Sequence, residues 1–105
     1  MDIKVKKSLL DLCVLSVLYK GDSYGWQILK DLSHLLEINE STLYATTNRL
    51  EREGFLTTYS EEHSGRLRRY FKITIEGERR LQKFKDEYEE LDIIHRFILN
   101  SLEEI

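Results

Sequence analysis

A mainly α-helical chain with a two-stranded β-hairpin and a long C-terminal helix is the fold class that three observations predict. Helical apolar spacing recurs through the first half of the 105 residues. A stretch rich in β-formers between Phe55 and Ile73 is split by the turn signal Ser64-Gly65. After Thr74, apolar residues recur in alternating steps of four and three nearly to the end.

The first helix is expected from about Ile3 to Tyr19. Val5, Leu9, Leu12, Val14, Leu15 and Leu18 cover more than one of its faces. That breadth points to burial on two sides, in the domain core and against a partner. Lys20-Gly21-Asp22 ends it, with Gly21 a natural residue just past a helix C-terminus. A second helix starts with Ser23 as N-cap and runs toward Leu35, with Ile28, Leu32 and Leu35 at helical spacing. Gly25 inside it costs about 1 kcal/mol relative to Ala, so close approach of another helix is expected there. Trp26 is read as a core aromatic of this helix. A third helix is expected from Asn39 or Glu40 to Gly54, with Leu43, Thr47 and Leu50 turned to the core. Ser41, Thr42, Ala45, Asn48, Arg49 and Arg52 lie elsewhere around it, several on a polar outer face.

Phe55–Ser60 and Leu67–Ile73 read as strands, with residues 61–66 the loop between them. In the second strand Leu67, Arg69, Phe71 and Ile73 share one side, and Arg68, Tyr70 and Lys72 the other. Thr74 caps a last helix running from Ile75 almost to Ile105. Gly77, Leu81, Phe84, Tyr88, Leu91, His95, Ile98, Leu102 and Ile105 form a heptad seam along it. One helix on so small a domain cannot bury such a stripe, so the seam predicts a partner helix, most simply from a second copy. Leu81, Phe84, Tyr88, Leu91, His95, Ile98 and Leu102 are its dimerisation residues, and Ile94 and Phe97 widen the stripe. These elements in this order make a winged helix-turn-helix plus a long C-terminal helix. Residues 1–74 are expected to be the DNA-binding part and 75–105 the dimerisation helix, within one compact unit.

Composition narrows the function. No apolar run approaches the roughly 20 residues a membrane helix needs, and no signal peptide is recognisable. Cys13 is the single cysteine, so no intrachain disulfide forms, and a cytoplasmic location is expected. Cys13 itself is read as a small buried residue. Net charge is −3, which taken whole argues against nucleic acid. Its distribution argues for it. From His63 to Lys72 stand Arg66, Arg68, Arg69 and Lys72 and no acid. Acids outnumber bases from Glu76 onward, and that end would face away from a polyanion. His34, His63 and His95 have no metal spacing with Cys13. Neither a phosphate loop nor a nucleophile elbow is present, so no enzyme activity, catalytic residue, metal or cofactor is expected.

Three segments together resemble the PadR-type transcriptional regulators. They are Gly21-Asp22-Ser23-Tyr24-Gly25-Trp26-Gln27-Ile28, then Ser41-Thr42-Leu43-Tyr44 with Arg49-Leu50-Glu51-Arg52-Glu53-Gly54-Phe55-Leu56, and Gly65-Arg66-Leu67-Arg68-Arg69-Tyr70-Phe71-Lys72-Ile73-Thr74 with Glu76-Gly77. The short length is similar to the compact branch, which has a single C-terminal helix. The resemblance implies a homodimeric DNA-binding regulator, commonly a repressor, with the third helix in the major groove. It also raises a small aromatic effector at the dimer interface, for which Trp26 invites attention, although its place in the second helix favours the core. One residue departs from the family pattern: Ala45 stands where proline usually follows the tyrosine. That position approaches the DNA, so the departure bears on operator preference.

The candidate DNA-binding residues are Ser41, Thr42, Tyr44, Ala45, Asn48 and Arg49 on helix 39–54, with Ser64, Gly65, Arg66 and Arg68 on wing 61–68. Hydroxyls of Ser41 and Thr42 at a helix N-terminus either hold phosphate or only cap and solvate it. Tyr44 either bonds a phosphate or packs at the core edge. Asn48 and Arg49 have the chemistry to read base edges, adenine and guanine respectively, while Arg49 has Glu53 as an alternative partner at i, i+4. Gly65 lets the tip turn tightly and approach a backbone or a minor groove. Glu61 and Glu62 are placed to pair with the wing arginines. Arg69, on the opposite strand face from Arg68, is read as structural, and His63 as solvated. His95 either fixes seam register or is a half-exposed, hydrogen-bonded histidine, the latter being favoured. The expected function is a sequence-specific, homodimeric regulator of transcription on a pseudo-palindromic operator in double-stranded DNA. The rival is a winged-helix protein–protein module that never meets DNA, which the acidic balance supports and the unopposed wing cations oppose.

Overall fold

The structure, a computed structural model, describes residues 2–103. The elements run α1 (Ile3–Lys20), β1 (Ser23–Tyr24), α2 (Gly25–Leu32), α3 (Glu40–Arg52), β2 (Leu56–His63), β3 (Arg66–Ile73) and α4 (Ile75–Glu103). This is the winged helix-turn-helix with a long C-terminal helix. The sheet has three strands rather than two, in the order β1-β3-β2, all antiparallel.

The extra strand corrects the reading of Ser23 as a helix N-cap. Ser23 and Tyr24 are extended and pair with Phe71 and Tyr70, so α2 begins two residues later. Its cap residue, Tyr24, makes no side-chain capping bond. A two-residue strand carries too little pattern to be told from a cap by sequence; here the ladder to β3 overrides the local preference of serine. α2 also stops at Leu32, short of Leu35, and Leu35 is exposed.

Leu10, Val14, Leu15 and Leu18 of α1, Ile28 and Leu32 of α2, Leu43 and Leu50 of α3, and Leu56 and Phe71 of the sheet form one core. Trp26 is absent from it. The indole is 63% exposed, with Lys30 Nζ 5.1 Å from the ring centroid. The core reading fails because Ile28 and Leu32 occupy the buried side of this two-turn helix, and Trp26 lies off that side. Gly25 does meet a neighbour from α3. A Cβ there would lie 3.3 Å from the Tyr44 hydroxyl oxygen.

The hairpin is tighter than a six-residue loop. β2 and β3 stay paired out to His63–Arg66, leaving only Ser64 and Gly65 to turn. Both have positive φ, 51° and 81°, the signature of a type I′ turn, whose twist matches the flanking strands.

α4 starts where Thr74 Oγ1 accepts the Gly77 N–H at 3.1 Å while its hydroxyl donates to the Gly54 carbonyl at 2.7 Å. Gly77 is buried because the helix passes against the sheet. A Cβ there would sit 2.3 Å from the Phe55 carbonyl oxygen and 2.6 Å from Ile73 Cγ1. The first seam positions therefore turn inward: Gly77 is covered and Leu81 packs on the domain's own core. From Phe84 onward the stripe is exposed, including Tyr88, Leu91, Ile94, Ile98 and Leu102. His95 is exposed as well. Ile105, the last seam position, lies outside the described residues. Among those residues, no helix is long and apolar enough to cross a membrane.

Candidate nucleic-acid interface

α3 is capped by Asn39, whose side chain accepts the Thr42 N–H at 2.8 Å. Burial of Leu43, Thr46, Thr47 and Leu50 fixes its rotation about its own axis. At 100° per residue, that leaves Ser41, Tyr44, Ala45, Asn48 and Arg52 on the opposite side, all exposed. Thr42 is exposed on one flank. This is a short, mostly small and polar surface, able to enter a groove and to offer hydroxyl and amide hydrogen bonds.

Arg49 stands apart from that group. Its guanidinium turns to α1 and bonds the carboxylate of Asp11, with Glu53 a further 3.6 Å ion-pair partner. The hydrogen bond to Asp11 pushes the guanidinium above its ordinary pKa. Glu53 was the partner weighed from sequence; Asp11, the buried one, was not. Asp11 also accepts from Arg80 of α4, at 3.3 Å. One carboxylate, 3% exposed, thus ties α1, α3 and α4 together. The sequence signal was present: an aspartate in the middle of an apolar helical run has to find a cation.

The wing supplies the positive charge. Ser64, Gly65 and Arg66 are exposed at the tip. Among the described residues, Arg66 and Arg68 lie within ion-pairing distance of no acid. Glu61 faces Arg68 and Glu62 faces Leu67 across the ladder, yet the expected pairs do not form. Arg69 points to the other face and bonds Glu51 at 3.2 Å, and Thr58 donates to the same carboxylate at 2.7 Å. That pairing fixes the wing's angle to α3 and fits the structural reading of Arg69.

Sequence reasoning missed an aromatic group on the wing's outer face. Tyr59 stacks on Tyr70 with centroids 5.4 Å apart, and Tyr24 meets Tyr70 edge-on at 5.8 Å. The Tyr59 hydroxyl donates to Asp22 at 2.7 Å. That bond, with the nearby carboxylate charge, pushes the phenol up to about 12. Period-two spacing of tyrosines across two strands was the available signal; the pairing register was not. Away from this surface, burial pushes the Cys13 thiol above its ordinary pKa.

Residues 14–83 match the model of the PadR-like family of transcriptional regulators. The chain belongs to that family. The span runs from the core of α1 through the wing into α4, so the whole reading surface lies within it. A PadR-type match of this breadth agrees with solved structures. A transcriptional regulator from Clostridium thermocellum is 33% identical with a TM-score of 0.75, over 90% of this chain and 93% of that one. A PadR family transcription regulator from Clostridium difficile is 29% identical with a TM-score of 0.77, over 85% and 96%. PadR from Bacillus subtilis, solved in complex with operator DNA, shares the fold at 21% identity and a TM-score of 0.68, over 72% and 46%.

Proposed function

We propose that this PadR-like regulator is a homodimeric DNA-binding protein that represses transcription by occupying a pseudo-palindromic operator. α3 presents Ser41, Thr42, Tyr44, Ala45 and Asn48 to the major groove. Ser64, Gly65, Arg66 and Arg68 of the wing hold the flanking backbone or minor groove. Arg49 supports α3 from behind. The exposed stripe of α4 from Phe84 to Leu102 packs against the same stripe of a second copy, so residues 75–105 serve as the dimerisation element and residues 1–74 as the reader. Double-stranded DNA and a second copy are the partners, in the cytoplasm.

The observation that carries this reading is the pairing of one small polar helix face with two wing arginines free of acidic partners. A cation without a carboxylate keeps its charge for phosphates, and each phosphate contact releases counterions. The operator-bound Bacillus subtilis relative shares the fold. Two identical readers related by a two-fold axis engage half-sites about one turn apart, roughly 34–36 Å.

Fluorescence anisotropy with DNA from upstream of the protein's own coding sequence tests it, beside scrambled DNA of equal length and at several salt concentrations. Tight, salt-dependent binding to the upstream fragment alone is the expected result. Arg66→Ala and Arg68→Ala each lower the salt slope by about one. Equal weak binding to both duplexes would favour the protein-partner module.

A further inference from the structure

The two wing arginines are not equivalent. Arg68 lies over the ring of Tyr24, its guanidinium carbon 4.0 Å from the centroid. Among the described residues no ring lies beneath Arg66. Tyr24 belongs to β1, between α1 and α2, and its backbone is paired to Tyr70. Tyr70 supports the Tyr24 ring edge-on and is itself stacked by Tyr59, whose hydroxyl is held by Asp22. The ring under Arg68 is therefore fixed by the domain and by neighbouring rings, not by the hairpin tip.

We propose that Tyr24 is a platform that holds Arg68 ready for a DNA phosphate, which makes it a positioning residue for the wing's grip. This rests on the DNA-binding reading of the wing. Three physical points support it. A ring face engages the plane of a guanidinium and leaves its N–H donors, which lie in that plane, free for a phosphate. A carboxylate would hold the same side chain as well, but would cancel the charge that attracts DNA. An arginine already stacked gives up less rotamer freedom on binding than a free one.

The test combines a spectrum of the free protein with a double-mutant cycle. In the wild-type protein without DNA, the Arg68 Hδ resonances are shifted upfield by the Tyr24 ring current, and Tyr24→Leu abolishes the shift. Unshifted wild-type resonances would overturn the platform without reliance on any variant. On the upstream duplex, Tyr24→Leu weakens binding about three- to fivefold, the effect of losing an exposed cation–π contact. Tyr24→Phe, which keeps the ring face, binds as the wild type does. In an Arg68→Ala background, Tyr24→Leu has no further effect, and the salt slope has already fallen by about one. If Tyr24→Leu binds like wild type while Arg68→Ala weakens binding, the platform is refuted and the DNA grip stands. If Tyr24→Leu weakens binding equally with and without Arg68, Tyr24 acts on its own and the proposal is wrong. If Arg68→Ala changes neither affinity nor salt slope, the wing contact fails first and the platform has no role in DNA binding.

Discussion

Removing both arginines from Asp11 is expected to cost more than the sum of removing each. Asp11 is almost fully buried and is held by Arg49 and Arg80, whose side chains are 33% and 25% exposed. A hydrogen bond to a charged group contributes about 1.5–3 kcal/mol. Partial exposure of both arginines screens these two bonds toward or below the lower limit. Arg49→Met or Arg80→Met alone should therefore cost about 1–1.5 kcal/mol, because the carboxylate keeps one cation. The double variant leaves a buried carboxylate with none, and breaking a buried pair in that way costs about 3–5 kcal/mol. The excess over additivity is then about 1–2 kcal/mol, well outside the scatter expected of independent sites. Adding Asp11→Leu to the double variant should restore most of the loss, since an apolar group of similar size replaces the stranded charge. Urea denaturation followed by circular dichroism reads these values, at one fixed protein concentration because a dimer's stability depends on it. Additivity within about 0.5 kcal/mol would refute the reasoning and mean that water reaches Asp11 in the folded protein.

Gly77→Ala should destabilise the fold by at least about 2 kcal/mol in the same assay, because the new methyl overlaps backbone oxygen and the Ile73 side chain, neither of which can yield cheaply. Leu91→Arg should convert the proposed dimer to a species of 12.6 kDa in sedimentation equilibrium while leaving the circular dichroism spectrum intact. An ultraviolet titration should show one of the six tyrosines ionising near pH 12, and Asp22→Asn should return it toward the ordinary range. The folded pKa lies above the unfolded one. The Tyr59 contribution to stability is thus complete below about pH 10 and is lost as pH rises from there through 12, so Asp22→Asn should flatten the alkaline limb of the stability curve.

Periodic features were legible in the sequence, and features made by contact between distant segments were not. Leu43, Thr47 and Leu50 are buried as their spacing requires, and Thr74 caps α4 as its position suggests. The Ser64-Gly65 turn was visible, but not that pairing would close right up to it. Ser23 and Tyr24 gave no strand signal, because two residues have no period. Trp26 misled through its size: apolar area alone does not decide burial when a helix only two turns long already has Ile28 and Leu32 to bury. For the candidate site, the exposed positions of α3 and the wing cations followed from patterning. The direction of Arg49 did not, because it depends on Asp11, 38 residues earlier in the chain. The stacking of Arg68 on Tyr24 depends in the same way on the β1–β3 register.

The length of α4 sets a mechanical ratio. Gly77 and Arg80 clamp the start of this 29-residue helix to the sheet and to Asp11, leaving a shaft of roughly 35–40 Å to its end at 1.5 Å per residue. A tilt of about 5° at the clamp displaces the far end by roughly 3 Å, about the rise of one base pair. In the proposed dimer the far ends are joined, so the lever works in reverse: small changes in how the two shafts pack would reset the distance between the two reading helices. The residues best placed to tune operator spacing are then not those that face DNA, but Ile94, Ile98 and Leu102, far out along the helix.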